Sequence, residues 1–249
     1  MSKIIAIMLL LCCGMMLFGC ADDNGRRKAE QQKTIVVTDS VGRKVELPYP
    51  LERVAVCNVY NAELITAVGA IDKIVGVDNY IFKDQSGFKN RFNEAQVFGI
   101  SQNAMNYEKL AELSPQAVII TGEGTWRDAQ EMLDRFGIKV IVINSYYTDQ
   151  FADNCRLIGR IFGREEQAEE LVNYFNDKLA YIQKQLQGVP RRSLYFEYRT
   201  LGKTAVPGDY FYKMVEYSGA DNIFAAAKGS QVDQEAIIEK DPQLSLIHI

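Results

Sequence analysis

The sequence predicts an α/β protein of two lobes joined by one long helix, and three observations carry that reading. Short β-branched runs alternate with helix-period segments through residues 50–145. An extended helical segment follows, from Asp149 to Gln187, and after Gly188-Val189-Pro190 the alternation resumes.

The elements are legible in order. Thr34–Thr38 and Lys44–Leu47 are β-branched runs around the turn-forming stretch Asp39-Ser40-Val41-Gly42-Arg43, which predicts a hairpin. Arg53–Cys57 is a compact apolar strand, followed by helical spacing over Ala62–Val68, a stop at Gly69 and a strand at Ile74–Val77. A helix at Tyr107–Leu113, a strand at Ala117–Thr121, a helix at Arg127–Phe136 ending on Gly137, and a strand at Lys139–Ile143 complete the first lobe. The long helical segment is nicked at Gly163. Beyond the nick Ala168, Leu171, Val172, Phe175, Leu179, Ile182 and Leu186 form one apolar stripe, so the segment can serve as a rigid spacer. A strand at Ser193–Tyr198 and helices at Tyr210–Tyr217 and Asp233–Glu239 open the second lobe.

Composition limits the function. The chain has 249 residues, 47% of them hydrophobic and 24% charged, enough apolar material for one or two packed cores. A formal net charge of −4, with no basic run longer than Arg26-Arg27-Lys28, lacks the footprint needed to neutralise nucleic-acid phosphates. One histidine, His248, leaves almost no material for a His general base or a His metal cluster. Of five cysteines, Cys12, Cys13 and Cys20 are N-terminal, and no CxxC pair exists. Cys57 and Cys155 read as small buried hydrophobes, a disulfide between them being the alternative.

The N-terminus reads as an export and anchoring signal. Lys3, the uncharged run Ile4–Phe18 and Gly19-Cys20 have the order of a signal peptide, and the run is short for a retained transmembrane helix. Leu17-Phe18-Gly19-Cys20 resembles a bacterial lipobox, from which it departs in the bulk of Phe18; the resemblance makes Cys20 the acylated first mature residue. Residues 1–19 are then signal peptide and 20–33 a lipid anchor and polar tether, holding an extracytoplasmic body at the outer face of the cytoplasmic membrane. Removing residues 1–19 takes away one Lys and no acid, leaving 27 basic against 32 acidic side chains.

At the other end, Leu-Ser-Leu-Ile-His-Ile follows Asp241-Pro242-Gln243 without a turn or cap signal and matches one reading frame of a transposase-based sequencing adapter. The sequence therefore predicts that residues 244–249 are foreign and the second lobe truncated, with a genuine apolar strand as the alternative. The expected divisions are 34–147 for the first lobe, 148–188 for the connecting helical segment and 189–243 for the start of the second lobe.

Several segments in this order carry a family resemblance. They are Thr38–Arg43, Arg53–Val56 leading to Ala62–Ala70, Ile74-Val75-Gly76-Val77-Asp78, Asn106–Ile119, and Gly219-Ala220-Asp221-Asn222-Ile223-Phe224. Over Thr34–Gln243 the chain resembles the substrate-binding lipoproteins of bacterial iron-siderophore, haem and cobalamin ABC importers, the class III or helical-backbone type. The resemblance implies two Rossmann-like lobes on a backbone helix, a monomer that binds a small-molecule metal chelate, and delivery to a permease dimer. It also implies that Glu108 and Glu235, one on each lobe, pair with permease arginines; the plainer reading is two solvated glutamates at helix starts.

Parallel sheets bind ligands beyond the carboxyl ends of their strands, so the candidate contacts are the residues there. They are Tyr60, the run Asp78-Asn79-Tyr80, Trp126-Arg127, Tyr146-Tyr147 and, in the second lobe, Tyr198-Arg199. Aromatic faces cover a flat macrocycle or catecholate, a Tyr oxygen is a hard ligand for ferric iron, and Arg pairs with anionic chelates. Each Tyr can also be plain packing. Arg199 is the sharpest candidate, because a guanidinium directly after the apolar strand Leu194-Tyr195-Phe196 needs a partner.

No protein-held metal, no cofactor and no catalytic set is expected. Gly122-Glu123-Gly124-Thr125-Trp126-Arg127 begins like a GxGxxG loop but has Arg127 at the third glycine, and no GxSxG, P-loop or HExxH occurs. The expected function is capture of a metal chelate, a ferric siderophore ahead of haem or a cobamide. The alternatives are a molybdate or tungstate receptor of the same architecture, held by backbone amides and Arg, and a secreted hydrolase using Glu123 and Asp128.

Overall fold

A computed structural model describes residues 33–248. The expected signal peptide, Cys20 and most of the expected tether lie outside the described residues. The chain opens with the antiparallel hairpin β1 (Thr34–Thr38) and β2 (Lys44–Pro48), in register Val36 to Glu46. Its turn is built by Asp39, whose Oδ1 accepts the N–H groups of Val41 and Arg43 at 3.2 and 2.9 Å. The same carboxylate is buried and pairs with the Arg43 guanidinium at 2.7 Å, while Arg43 also donates to the Val140 carbonyl at 3.1 Å. The hairpin is thereby tied to the edge of the main sheet.

That sheet is all parallel, in the order β4 (Ile74–Val77), β3 (Val54–Val56), β5 (Ala117–Ile120), β6 (Lys139–Val142). Helices cover both faces, so its strands are buried except at Val75 and Lys139, and alternate residues feed two cores. On one face Val54, Val56, Ile119 and Ile141 pack with α1 (Val59–Ala67), α5 (Phe151–Phe162) and α6 (Glu165–Gln185). On the other, Ala55, Val118, Ile120 and Val140 pack with α3 (Tyr107–Glu112) and α4 (Trp126–Asp134). Cys57 and Cys155 are free and buried in different cores, which removes the disulfide alternative. A short helix that the pattern does not announce, α2 (Asn79–Lys83), follows β4.

The long helical segment is two helices. Gly163 adopts φ 62°, the left-handed conformation that a helix-ending residue needs, and closes α5. Gly159 lets the two helices touch, since a Cβ there would stand 2.5 Å from Ala168 Cβ. The 21-residue α6 then runs about 32 Å at 1.5 Å per residue, burying Ala168 and Val172 on the first lobe.

The second lobe is the parallel sheet β8 (Asp221–Asn222), β7 (Ser193–Tyr198), β9 (Leu244–His248), with α7 (Tyr212–Tyr217) and α8 (Gln234–Glu239) as its helices. Leu194, Phe196, Tyr198, Ala205 and Val215 form its core. The segment expected to be foreign pairs with β7 from Leu244 through His248, with Leu244, Leu246 and Ile247 exposed.

Candidate ligand cleft

In the first sheet the chain steps from β3 to β4 on one side and then crosses back to β5 on the other. The reversal leaves a crevice at the carboxyl ends of β3 and β5, where open α/β sheets bind ligands. A cavity of 520 Å³ occupies this end, lined among others by Asn58, Tyr60, Asp78, Tyr80, Gln102 and Glu123.

Its floor is a set of hydrogen bonds, most of them joining loops that are distant in sequence. Asn58 sits at φ 76° and its side chain accepts the Tyr60 N–H at 3.0 Å, starting α1. Asp78 accepts the Asn58 N–H at 3.0 Å and the Ile81 N–H at 2.9 Å, so one carboxylate organises the loops after β3 and β4. Burial pushes the Asp78 carboxyl up, against the lowering effect of the backbone N–H groups of Ile81, Asn58 and Tyr80. Tyr60 and Tyr80, 48% and 63% exposed, project from these loops. Gln102 accepts the Thr121 N–H at 2.9 Å and donates to the Glu123 carbonyl, fixing the loop after β5. Asn144, after β6, accepts the Gly122 N–H at 2.7 Å.

Tyr146 and Tyr147 extend the wall, their rings 4.7 Å apart, and Tyr146 meets Tyr210 of the second lobe edge-on at 5.7 Å. Burial raises the Tyr146 phenol first, and the charge of Glu123 raises it further. Tyr147 and Tyr210 are raised as well, mainly by burial. In the ligand-free chain these rings are held as phenols and offer aromatic faces and O–H donors.

On the second lobe, Tyr198 is buried and donates its O–H to Asp209. Arg199 follows at φ 64°, and the Thr200 N–H donates to the Tyr198 carbonyl at 2.8 Å, a γ-turn of the rare positive-φ kind. The turn lifts an exposed Arg199 off the end of β7, its guanidinium 5.9 Å from the Tyr210 ring centroid. Buried Glu197 supports the turn by accepting the Tyr195 O–H at 2.5 Å and the Gly202 N–H at 2.7 Å.

Of the residues singled out in the sequence, Tyr60 and Tyr80 line the cavity, and Tyr146, Tyr147, Tyr198 and Arg199 meet around Tyr210. Trp126 and Arg127 lie elsewhere. Trp126, the first residue of α4, is 8% exposed in the core, with the guanidinium groups of Arg43 and Arg127 at 4.4 and 4.2 Å from its ring centroid. Glu108 and Glu235 stand exposed in the first turns of α3 and α8, away from the cavity lining. Sequence reasoning missed Asn58, Gln102, Asp209 and Tyr210 and gave Glu123 only a hydrolytic role. The Tyr-Phe-Tyr run at 210–212 was the one available signal.

A second cavity, 560 Å³, lies between Leu186, Arg191, Tyr217 and Leu244 at the amino ends of the second sheet, opposite the strand ends that carry the aromatic groups. Among the described residues no group of three or more His, Cys, Asp or Glu side chains is placed to hold a metal ion.

A family model described as "Periplasmic binding protein" matches residues 54–249. The molybdate-binding protein MolA of Haemophilus influenzae is 27% identical over 242 residues, covering 85% of this chain and 68% of the relative. Its molybdate-bound structure aligns with a TM-score of 0.71 at 23% identity, over 86% of this chain and 73% of that one. The vitamin B12-binding protein of Salmonella typhimurium is 22% identical over 206 residues, 80% of this chain and 73% of the relative. The periplasmic haem-binding protein HutB of Vibrio cholerae shares the fold, with a TM-score of 0.68 at 22% identity over 78% of this chain and 75% of that one. These relatives are binding proteins by name, which sets aside the hydrolase reading. Parallel lobes on a backbone helix, with a match that begins at β3 and runs through β9, place the chain in the periplasmic binding protein family, as a class III binding protein of ABC importers.

Proposed function

We propose that this chain is a lipid-anchored receptor, tethered through Cys20, that captures a bulky metal chelate in the cleft and hands it unchanged to a permease dimer. A ferric siderophore comes ahead of haem or a cobamide. The observation that carries the reading is the aromatic surface at the strand ends, with Tyr60 and Tyr80 exposed and Tyr146 meeting Tyr210 between the lobes. Such faces suit a broad organic ligand, whereas a small oxyanion needs several donors closing on one point. The metal is cargo within the chelate. Glu108 and Glu235 meet the permease, and the single helix α6 limits lobe closure to a modest movement.

The likeness to MolA favours a second reading, capture of molybdate or tungstate with Arg199 as the anion partner. Calorimetric titration of the full chain with a ferric tris-hydroxamate, haemin, cyanocobalamin and molybdate separates the two. Saturable binding of a chelate supports the first reading, and binding of molybdate alone replaces it with the second.

A further inference from the structure

The charges around the cleft are divided unequally between its walls. Among the described residues lining the first-lobe cavity are the carboxylates Glu63, Asp78 and Glu123, and no Lys or Arg. Asp78 is engaged with backbone amides, and Glu63 feels mainly its own burial and Asp84. Glu123 is different. It is exposed, on a loop that Gln102 and Asn144 hold in place, and its charge reaches Tyr146, Tyr147 and Tyr210, which come from both lobes. Asp209 adds a fourth carboxylate beside Tyr147, Tyr198 and Tyr210. Against these stand Arg199 near Tyr210 and Lys203, whose Nζ lies 5.2 Å from the Tyr198 ring centroid.

We infer that the cleft takes neutral or cationic metal chelates and turns away polyanionic ones, with Glu123 as the residue that sets this preference. The inference rests on the reading of the cleft as a chelate site. Aromatic faces present negative charge to a ligand, and a carboxylate among them adds to it, so a cationic group gains both attractions. A trianionic tris-catecholate would instead bring like charges against Glu123, which costs affinity and acts as a rejection device. Neighbouring carboxylates and burial keep the phenols protonated, so they supply O–H donors for the oxygens of a neutral hydroxamate. Arg199 reaches the same cluster from the other wall and can hold one chelate oxygen without reversing the balance.

The test is titration of the full chain with ferrioxamine B, a cationic ferric tris-hydroxamate, with ferrichrome, a neutral one, and with ferric enterobactin, a trianionic tris-catecholate. Glu123→Gln and Glu123→Lys are titrated alongside. Both hydroxamates should bind the native chain at least about tenfold more tightly than the tris-catecholate, the effect of ~1.4 kcal/mol. Glu123→Gln should lower the preference for the cationic over the neutral chelate by about fivefold, the size of an exposed charge pair. Glu123→Lys should strengthen tris-catecholate binding relative to ferrichrome, and a urea unfolding midpoint close to that of the native chain shows that the variant is folded. If the tris-catecholate binds the native chain most tightly and Glu123→Lys leaves the ranking alone, the charge preference is overturned while the receptor reading stands. If no chelate of any charge binds, the receptor reading itself fails.

Discussion

Tyr146 and Tyr210 meet edge-on, 5.7 Å between centroids and 76° between planes, and this contact brings the loop after β6 against the second lobe in front of α7. Tyr210 also lies 5.9 Å from the Tyr198 ring and the same distance from the Arg199 guanidinium. The strand ends of two sheets thus converge on one aromatic group.

Arg199 combines ligand contact with backbone strain. Arg199→Ala should weaken chelate binding by about 1.5–3 kcal/mol, the range for a hydrogen bond to a charged group. Arg199→Gly should lose the same affinity yet gain about 1 kcal/mol of stability, because glycine takes positive φ without steric cost. Calorimetry and urea unfolding on both variants check the pair, and equal stabilities would show the turn to be unstrained.

Asp78 should leave a signature in the pH dependence of stability. Its carboxyl is raised in the folded chain by burial, so the native state holds the proton more tightly than the unfolded one. This contribution is full below the ordinary aspartate value of about 3.9 and is lost as pH rises through the higher folded value. Asp78→Asn cannot titrate, so its stability relative to the native chain should rise with pH over the acid-to-neutral range. Urea midpoints measured across that range decide it; a constant difference contradicts the shift.

Gly159→Ala should loosen the joint between α5 and α6. The added Cβ would stand 2.5 Å from Ala168 Cβ and 2.9 Å from the Arg164 carbonyl oxygen, so the helices must separate. A loss of about 1–3 kcal/mol is expected from overpacking, read from chemical denaturation.

Reversing both of the charges proposed to meet the permease, Glu108→Lys with Glu235→Lys, should abolish uptake in cells while ligand affinity stays within about twofold, as for exposed charges distant from the site. Loss of affinity in the purified variant would move these residues into ligand binding.

Replacing Cys20 with Ser should release the body from membranes into the soluble extracytoplasmic fraction. Retention on the membrane with an uncut N-terminus argues for a spanning helix instead.

What the sequence by itself determined was the local grammar: the hairpin, the alternation from β3 to β6, and Gly163 as the end of a helix. These follow from period-2 and period-3.6 patterns and from glycine's tolerance of positive φ, all properties of neighbouring residues. Much of the cleft was legible too, because the rule that parallel sheets bind at their carboxyl ends already pointed to Tyr60, Tyr80, Tyr146 and Arg199. Only the tertiary structure decided which aromatic groups face the cleft. Trp126 follows the same strand end as Glu123, yet a helical turn and two stacking arginines draw it into the core and leave Glu123 outside. The grouping of Glu123, Tyr146 and Tyr210 depends on two crossovers and on the placement set by α6. No local pattern encodes such a distance, since it is set by how the helices pack rather than by which residues are neighbours.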